Sequence, residues 1–474
     1  MDQKFDLLII GAGPGGYIAA EKAAKMGMDV VVIDKKELGG TCVNRGCIPT
    51  KALIHASTLY RDMKNCEQFG IQADNVAFDL QKIYNYKDDS SRMMRKELRK
   101  TFRELGITFI QGTATIQRNR KVRVKREDGA IEIFQAKNIL IATGAKANIP
   151  DIPGMDLPEV MTSEELMVTN KSQYKRLLIL GGGVIGLEIG TVFNNLGSEV
   201  TIIEANDRLL PTMDIEFSEA VEKILVKRGV ELCENSTLHR VEQSGEALLC
   251  TYEFEGKEYQ REFDGVLVSV GRSANTEDLF DSDVKIKTKN GKIVVDDFFM
   301  TSMPRVYAIG DVIEGVQLAH VASAQATFVV ERMNEKEPSV ILSVVPSCLF
   351  VSMSIIPSCL YMDPEIASVG LSEAAAKAKG VPIRCGECVM TDNGKSIINH
   401  DEEGFIKVVF AADSDVLLGA QIMCPRATDM IGELATAIAN GLTSRQLMYA
   451  MRAHPTYNEA ISTAVEASRR AVKK

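Results

Sequence analysis

The strongest constraint on this chain is a pattern that it uses twice. An apolar run at 6–10 leads into GAGPGG at 11–16, an Ala-rich helical stretch at 17–26 and the run Val30-Val31-Val32-Ile33. The plan returns at 176–204, where Leu177-Leu178-Ile179-Leu180 precedes GGGVIG at 181–186 and a helical stretch leads to Val200-Thr201-Ile202-Ile203. Strand, glycine turn, helix and parallel strand make a βαβ unit, so two dinucleotide-type folds share one chain. At 474 residues the chain is too long for a single core, which leaves room for both and for more.

Each glycine set lets the backbone turn tightly, approach a pyrophosphate and pack a helix on the strand, with the helix N-terminus facing the anion. The first set is Gly11, Gly13 and Gly16, and Asp34 at the end of the next strand is placed to accept hydrogen bonds from a ribose. In the second set, Gly181, Gly183 and Gly186 are followed by Glu204 in the matching place. An acid there favours a free ribose 2′-hydroxyl and repels a 2′-phosphate, which points to NAD rather than NADP. The plainer readings are a structural glycine turn and an incidental Glu; the strand-loop-helix setting of both loops weighs against them. Two dinucleotide sites on one chain imply an internal electron relay, and a flavin is the natural resident carrier.

Between the two units, 55–105 is polar, Lys/Arg-rich and helix-periodic, and 107–136 alternates as strands do; both read as excursions on the first fold. Beyond the second unit, 264–271 and 306–311 read as short buried strands and 320–334 as a helix. From about 362 the pattern changes to alternating strands at 366–370, 383–390, 405–410 and 416–423 followed by helices, an α+β closing domain. The net charge of −9 disfavours a nucleic-acid partner. The opening strand leaves no space for a signal or transit segment, so the expected location is the cytoplasm, or the mitochondrial matrix for a processed eukaryotic chain.

Ten cysteines are too few for a disulfide scaffold, and most are expected to be buried free thiols. Cys42 and Cys47 stand apart, in GGTCVNRGCIPTK at 39–51, directly after the first unit. Residues five apart on a regular helix point roughly 140° away from each other. Joining these sulfurs therefore needs a distorted segment, for which Gly46 and Pro49 supply freedom and a break. On spacing alone an ordinary thiol pair and a redox couple are both open. Cys385 and Cys388 also have CxxC spacing, but they sit in an alternating strand without a second ligand pair, so no metal or redox role is expected.

The segment GGTCVNRGCIPTK resembles the redox-disulfide segment of the pyridine nucleotide disulfide oxidoreductases, whose members include dihydrolipoamide, glutathione and mercuric reductases. The likeness spans nearly the whole chain: ILIATGA at 139–145, GGGVIGLE at 181–188, VSVGRSANT at 268–276, VYAIGDV at 306–312, LAHVA at 318–322 and HPTYNE at 454–459. It implies an α/β fold of two Rossmann-like dinucleotide-binding domains plus a C-terminal α+β dimerisation domain. An FAD domain would comprise 1–150 and 276–345, an NAD domain 151–275 and the interface domain 346–474.

The same resemblance implies roles for single residues. Cys42 would exchange with a dithiol substrate and Cys47 would lie against the flavin. His454 would be the base, oriented by Glu459, and in relatives this dyad reaches the disulfide of the partner subunit, so a homodimer is implied. Lys51 and Glu188 match an ion pair near the flavin. Asp311, with Gln317, Leu318, Ala319 and His320, matches FAD contacts, as does Gly112 with Thr143, Gly144 and Ala145; Gly271 and Leu238 fall where relatives touch NAD. HPTYNE and NRGCIPTK lean towards the lipoamide branch, which implies oxidation of a dihydrolipoyl dithiol carried by an acyltransferase or carrier subunit, with neither membrane nor nucleic acid as partner.

The sequence departs from the family pattern at Ala145 and Ala274, where relatives often carry Ser and Pro, and in one larger feature. Val-Val-Pro-Ser-Cys-Leu-Phe at 344–350 is echoed by Ile-Ile-Pro-Ser-Cys-Leu-Tyr at 355–361. Relatives have one such segment, so the second copy fits the native strand and residues near 345–355 look surplus; they are expected to form a loop or an added strand where the closing domain begins. The absence of charge over 339–362 invites a transmembrane reading, against which its two prolines, its serines and its place inside a soluble fold all count. Excising 345–355 is predicted to leave flavin binding intact and to preserve or raise activity. Flavin absorbance and sedimentation of the shortened protein check this, and loss of dimerisation would refute it.

Overall fold

The computed structural model describes residues 3–168, 173–344 and 353–470. The chain divides into two compact units: 1–56, 75–173 and 266–341 form the first, and 57–74, 174–265 and 342–474 the second.

In the first unit, strand Gln3–Ile10 lies between Val30–Asp34 and Ile131–Ile141 and is parallel to both. Strand Thr108–Gln111 extends the parallel edge, Val306–Ala308 joins Ile131–Ile141, and Lys121–Lys125 and Thr113–Ile116 continue antiparallel. Leu7, Ile9, Val30 and Val32 are fully or almost fully buried, as expected of strands covered on both faces. Helix Pro14–Lys25 buries Ala19, Ala20 and Ala23 in the same core as Ala326, Val329 and Val330 of helix Ala319–Met333. The small alanines let these elements pack closely.

The second unit repeats the plan with parallel strands Arg176–Leu180, Glu199–Ile203 and Glu231–Cys233 and helix Val184–Asn195. The local geometry matches in detail. Gly11 and Gly181 have φ of +106° and +107°, and each amide donates to the last carbonyl of the neighbouring strand, Ile33 or Ile203, at 2.8 Å. A Cβ on Gly16 would stand 1.8 Å from the Gly11 carbonyl oxygen, so only glycine lets the loop close on its helix here.

Strands Thr237–Ser244, Ala247–Phe254 and Lys257–Phe263 form an antiparallel meander in the same unit. Its closing sheet is a second antiparallel layer, ordered Ser358–Leu360, Ile366–Gly370, Leu417–Met423, Phe405–Ala411, Ile383–Val389. Helices Ala427–Ala439 and Glu459–Arg470 share its core through Ile431, Leu434, Ile438, Ile461, Ala464 and Val465. The CxxC segment is explained by this packing. A Cβ on Gly386 would meet the Ala464 carbonyl at 2.0 Å, and Cys388 is buried and bonded to Thr463.

Residues 57–74 correct one expectation. They were expected on the first fold, but the second half of helix Cys47–Lys64 groups with the second unit. There Ser57 receives a hydrogen bond from Asn195 at 3.4 Å, and Arg61 and Arg228 both pair with Asp363. In the tandem echo, the second copy supplies edge strand Ser358–Leu360. Residues 345–352, which include all of the first copy but Val344, lie outside the described residues, while Ser343–Val344 pairs antiparallel with Met353–Ser354 on either side of them. Among the described residues, no helix is long and apolar enough to cross a membrane.

Replacing Gly16 by Ala is predicted to destabilise the protein by about 1–3 kcal/mol through overpacking. Gly432→Ala, inside a helix with open space around it, should instead stabilise by about 0.5–1 kcal/mol. Thermal midpoints of the two variants check the contrast in sign.

Candidate active site

A broken helix builds the redox segment. Helix Gly40–Arg45 stops at Gly46, whose φ of −137° and ψ of −108° are not helical, and a new helix starts at Cys47. The break cancels the divergence of a regular helix, and the Cys42 thiol hydrogen-bonds to the Cys47 sulfur; both are half-buried free thiols. That bond, then burial, then the charge of Cys47 push the Cys42 thiol well up, while Lys51 pulls it the other way. The Cys42 thiol is thus held in its protonated form by its neighbour and by burial.

Asn44 staples the segment: its Nδ2 donates to the carbonyls of Gly40 at 2.8 Å and Leu38 at 3.2 Å, and its Oδ1 accepts from Arg95 at 2.6 Å. Tyr17, which sequence reasoning missed, stands beside the couple. Burial, then the charges of Cys42, Glu21 and Cys47, hold its phenol up at about 12, so it stays protonated at neutral pH. Nothing in its sequence context distinguishes it from another apolar position on the first helix.

The expected ribose acids occupy equivalent places. Asp34 accepts from the Ala12 amide and Glu204 from the Gly182 amide, both at 2.7 Å. The second oxygen of Asp34 takes the Lys36 amide at 2.8 Å, and that of Glu204 takes the amide and side chain of Asn206 at 2.8 and 2.5 Å. Glu204 is buried, so its carboxyl is fixed at the end of its strand. Arg208, the nearby cation, is spent on Ser218 Oγ at 2.8 Å and the carbonyls of Pro211 and Met213. It is committed away from any 2′-phosphate, which fits NAD.

Several remaining positions also fit a flavin. Thr143 Oγ1 is buried without a hydrogen-bond partner, and a Cβ on Gly40 would come within 2.5 Å of Gly13 Cα, so two backbones line one narrow cradle. Gly144 has φ of +69° and its carbonyl accepts from Asn275 at 2.9 Å. Gly112 donates to the Asp34 carbonyl at 2.8 Å. Burial pushes the Asp311 carboxyl up, with Arg272 and Lys292 opposing. Gln317, Leu318 and Ala319 are half-buried and His320 is exposed where helix Ala319–Met333 begins. FAD would be held by these groups together with the loop of Gly11, Gly13 and Gly16.

Gly271, at φ of +102°, accepts the Asn148 amide at 3.0 Å, and Leu238 is buried in the meander at a register shift. Lys51 belongs to the first unit; buried Glu188 belongs to the second, where it accepts the Tyr361 amide at 3.1 Å. The two departures from the family pattern prove to be one: Ala145 and Ala274 are cross-strand partners.

His454 and Glu459 meet in the second unit, Nδ1 to Oε1 at 2.8 Å. The other Glu459 oxygen takes the Thr456 amide at 2.8 Å; that bond first, then His454, holds the carboxyl below the usual carboxylate range. The imidazole itself stands out, with 78% of its side chain exposed.

A hydrogen-bonded pair of thiols, beside one nucleotide loop and on a chain with a second, defines an NAD-dependent flavoprotein disulfide oxidoreductase. The chain belongs to the pyridine nucleotide-disulphide oxidoreductase family, whose description it matches over residues 5–326, with the family's dimerisation domain over 356–465. It is 35% identical to the dihydrolipoyl dehydrogenase of Geobacillus stearothermophilus over 97% of this chain and 95% of that protein. The mitochondrial dihydrolipoyl dehydrogenase of Dictyostelium discoideum is also 35% identical, over 97% and 93%. Among solved structures, LpdA of Mycobacterium tuberculosis shares the fold with a TM-score of 0.89 at 24% identity, covering 99% of both chains. The HOCl-induced flavoprotein disulfide reductase RclA of Escherichia coli, solved as a Cu(II) complex, matches with 0.85 at 26% identity, over 98% of this chain and 99% of that one.

Sequence reasoning also missed a carboxyl pair behind the second loop. Glu234 accepts the Leu209 amide at 2.9 Å and hydrogen-bonds to Glu222; burial first, then Glu222, raise it to about 7. A carboxyl whose folded value lies above its ordinary 4.5 binds more protons folded than unfolded, so stability falls as pH rises through that interval towards about 7. Glu222→Gln removes the repulsion. The wild-type thermal midpoint should therefore fall more between pH 5 and pH 8 than that of the variant, and equal slopes would remove the pair from the account.

Proposed function

We propose that this chain is a dihydrolipoamide dehydrogenase. It would oxidise protein-bound dihydrolipoamide to lipoamide through the Cys42–Cys47 disulfide and FAD, reducing NAD to NADH. It would serve as the shared component of 2-oxo acid dehydrogenase or glycine-cleavage complexes. The observation that carries the reading is a hydrogen-bonded Cys42–Cys47 couple on a chain that also fixes an imidazole with a carboxylate. In this reading the enzyme is a cytoplasmic homodimer, or a matrix one in a eukaryotic cell, and the exposed His454 of one protomer serves the disulfide of the other.

The chemistry then balances as follows. His454 takes the proton of one substrate thiol, and the thiolate attacks Cys42 Sγ; the Cys42–Cys47 bond breaks and Cys47 leaves as thiolate. The second substrate thiol attacks the mixed disulfide at the substrate sulfur, closing the lipoyl ring and expelling Cys42, which takes up a proton. In that end state the proton on Cys42 is held by the hydrogen bond to Cys47 and by burial. FAD, held by the residues named above, would supply a two-electron acceptor as the Cys42–Cys47 bond re-forms and the Cys42 proton leaves, and a hydride donor for NAD. Lys51 offers a cation beside the couple, and Glu204 with Asn206 presents the acid that selects NAD.

Anaerobic titration with dihydrolipoamide, followed by addition of NAD, tests the reading. A long-wavelength absorbance should appear and collapse as NADH forms. His454→Gln should slow the dithiol half-reaction by about 10²–10⁴-fold while leaving flavin reduction by NADH unchanged. If dihydrolipoamide leaves the flavin oxidised, the substrate assignment fails. The likeness to RclA, solved with Cu(II), then makes NADH-driven reduction of a metal ion the next assay.

A further inference from the structure

Helix Leu80–Glu104 buries Tyr84, Lys87, Ser91, Leu98 and Phe102 along one stripe and turns a different chemistry outward. Six basic side chains stand against one acid between 92 and 103, on a chain whose net charge is −9. Arg92, Lys96, Arg99 and Arg103, spaced four, three and four apart, line one exposed face, with Lys100 beside them. Arg92 is paired with Asp89, but among the described residues Lys96, Arg99, Lys100 and Arg103 form no ion pair. Like charges four apart on a helix repel, so this face costs the isolated chain stability and gains when an anionic surface covers it. Met93, 68% exposed and next to Lys100 round the helix, adds adaptable apolar contact at the edge of the cations.

Position gives the face its meaning. Arg95, on the flank of the same helix, bonds Asn44, the residue that staples the Cys42–Cys47 segment. The basic face thus rides on the helix that braces the redox couple. We propose that it is the docking surface for the protein that carries the substrate: a small lipoyl-bearing domain with an acidic face, held by charge while its dithiol reaches Cys42. The inference rests on the function proposed above. A nucleic acid fits less well, because the −9 net charge of the chain repels a long polyanion, whereas a small acidic domain meets only the local stripe.

The test uses the holoenzyme and two substrates: free dihydrolipoamide, which is uncharged, and the same group on a purified acidic lipoyl domain. The double variant Lys96→Glu/Arg99→Glu should raise KM for the domain about tenfold at roughly 50 mM salt, shrinking to less than about twofold at roughly 0.5 M. KM and kcat for free dihydrolipoamide should not change. Lys96→Arg, which keeps the charge, should behave as wild type. An unchanged KM for the domain overturns the proposal. So does a fall to monomers on sedimentation, which would assign the stripe to the contact between protomers. If wild-type enzyme fails to oxidise free dihydrolipoamide, the proposed function fails instead, so the two failures are distinct.

Discussion

A carboxylate gripping a backbone amide underlies both nucleotide folds. Asp34 holds the Ala12 amide and Glu204 the Gly182 amide, each at 2.7 Å, and each ties the end of one strand to the glycine turn that follows its neighbour. The turns need that grip, because a phosphate-binding loop exposes amides that no strand or helix satisfies. The chain beyond each acid is tied back to the same turn: Gly39 donates to the Ala12 carbonyl at 2.9 Å and Leu210 to that of Gly182 at 3.1 Å. In the first unit that return is the start of the redox segment. Cys42 and Cys47 therefore owe their place to the loop geometry.

The asymmetry of the couple follows from what surrounds it. A lone buried dithiol would hold both protons, since burial penalises either thiolate. Here the two sulfurs share a hydrogen bond that holds the Cys42 thiol up, with the positive charge of Lys51 opposing. Tyr17 stays a neutral phenol in that field and adds no competing negative charge.

Features governed by local rules were legible in the sequence: the glycine loops and their acids, the strands of the closing sheet, and the need for a broken helix between Cys42 and Cys47. Glycine spacing and period-two alternation encode these within a few residues of where they act. What escaped was set by distant partners. Residues 57–74 look helical and polar in any setting, and distant partners such as Asn195, Asp363 and His400 decide which unit claims them. The Glu222–Glu234 pair is two ordinary exposed-type acids until helix Ile215–Lys227 and the 231–236 segment are set side by side. Ala145 and Ala274 read as separate departures because 129 residues separate partners of one ladder. The glycine between Cys385 and Cys388 likewise answers to a distant partner, since a Cβ on Gly386 would meet the Ala464 carbonyl.

His454 shows how far one chain goes towards catalysis. Glu459 binds Nδ1 and is itself anchored by the Thr456 amide, so the ring is oriented and its neutral form carries the proton on Nδ1, leaving the Nε2 lone pair as the base. Fixing a side chain costs rotamer freedom, and a surface histidine with no task would not repay it. Yet 78% of this one is exposed, and just before it in sequence Tyr449 and Met451 are 69% and 99% exposed. Burial of apolar surface is favourable by roughly 25 cal/mol per Å². The ground around the base is thus of the kind that gains from being covered. Under the function proposed above, that oriented imidazole would be half of a site whose other half comes with a second copy.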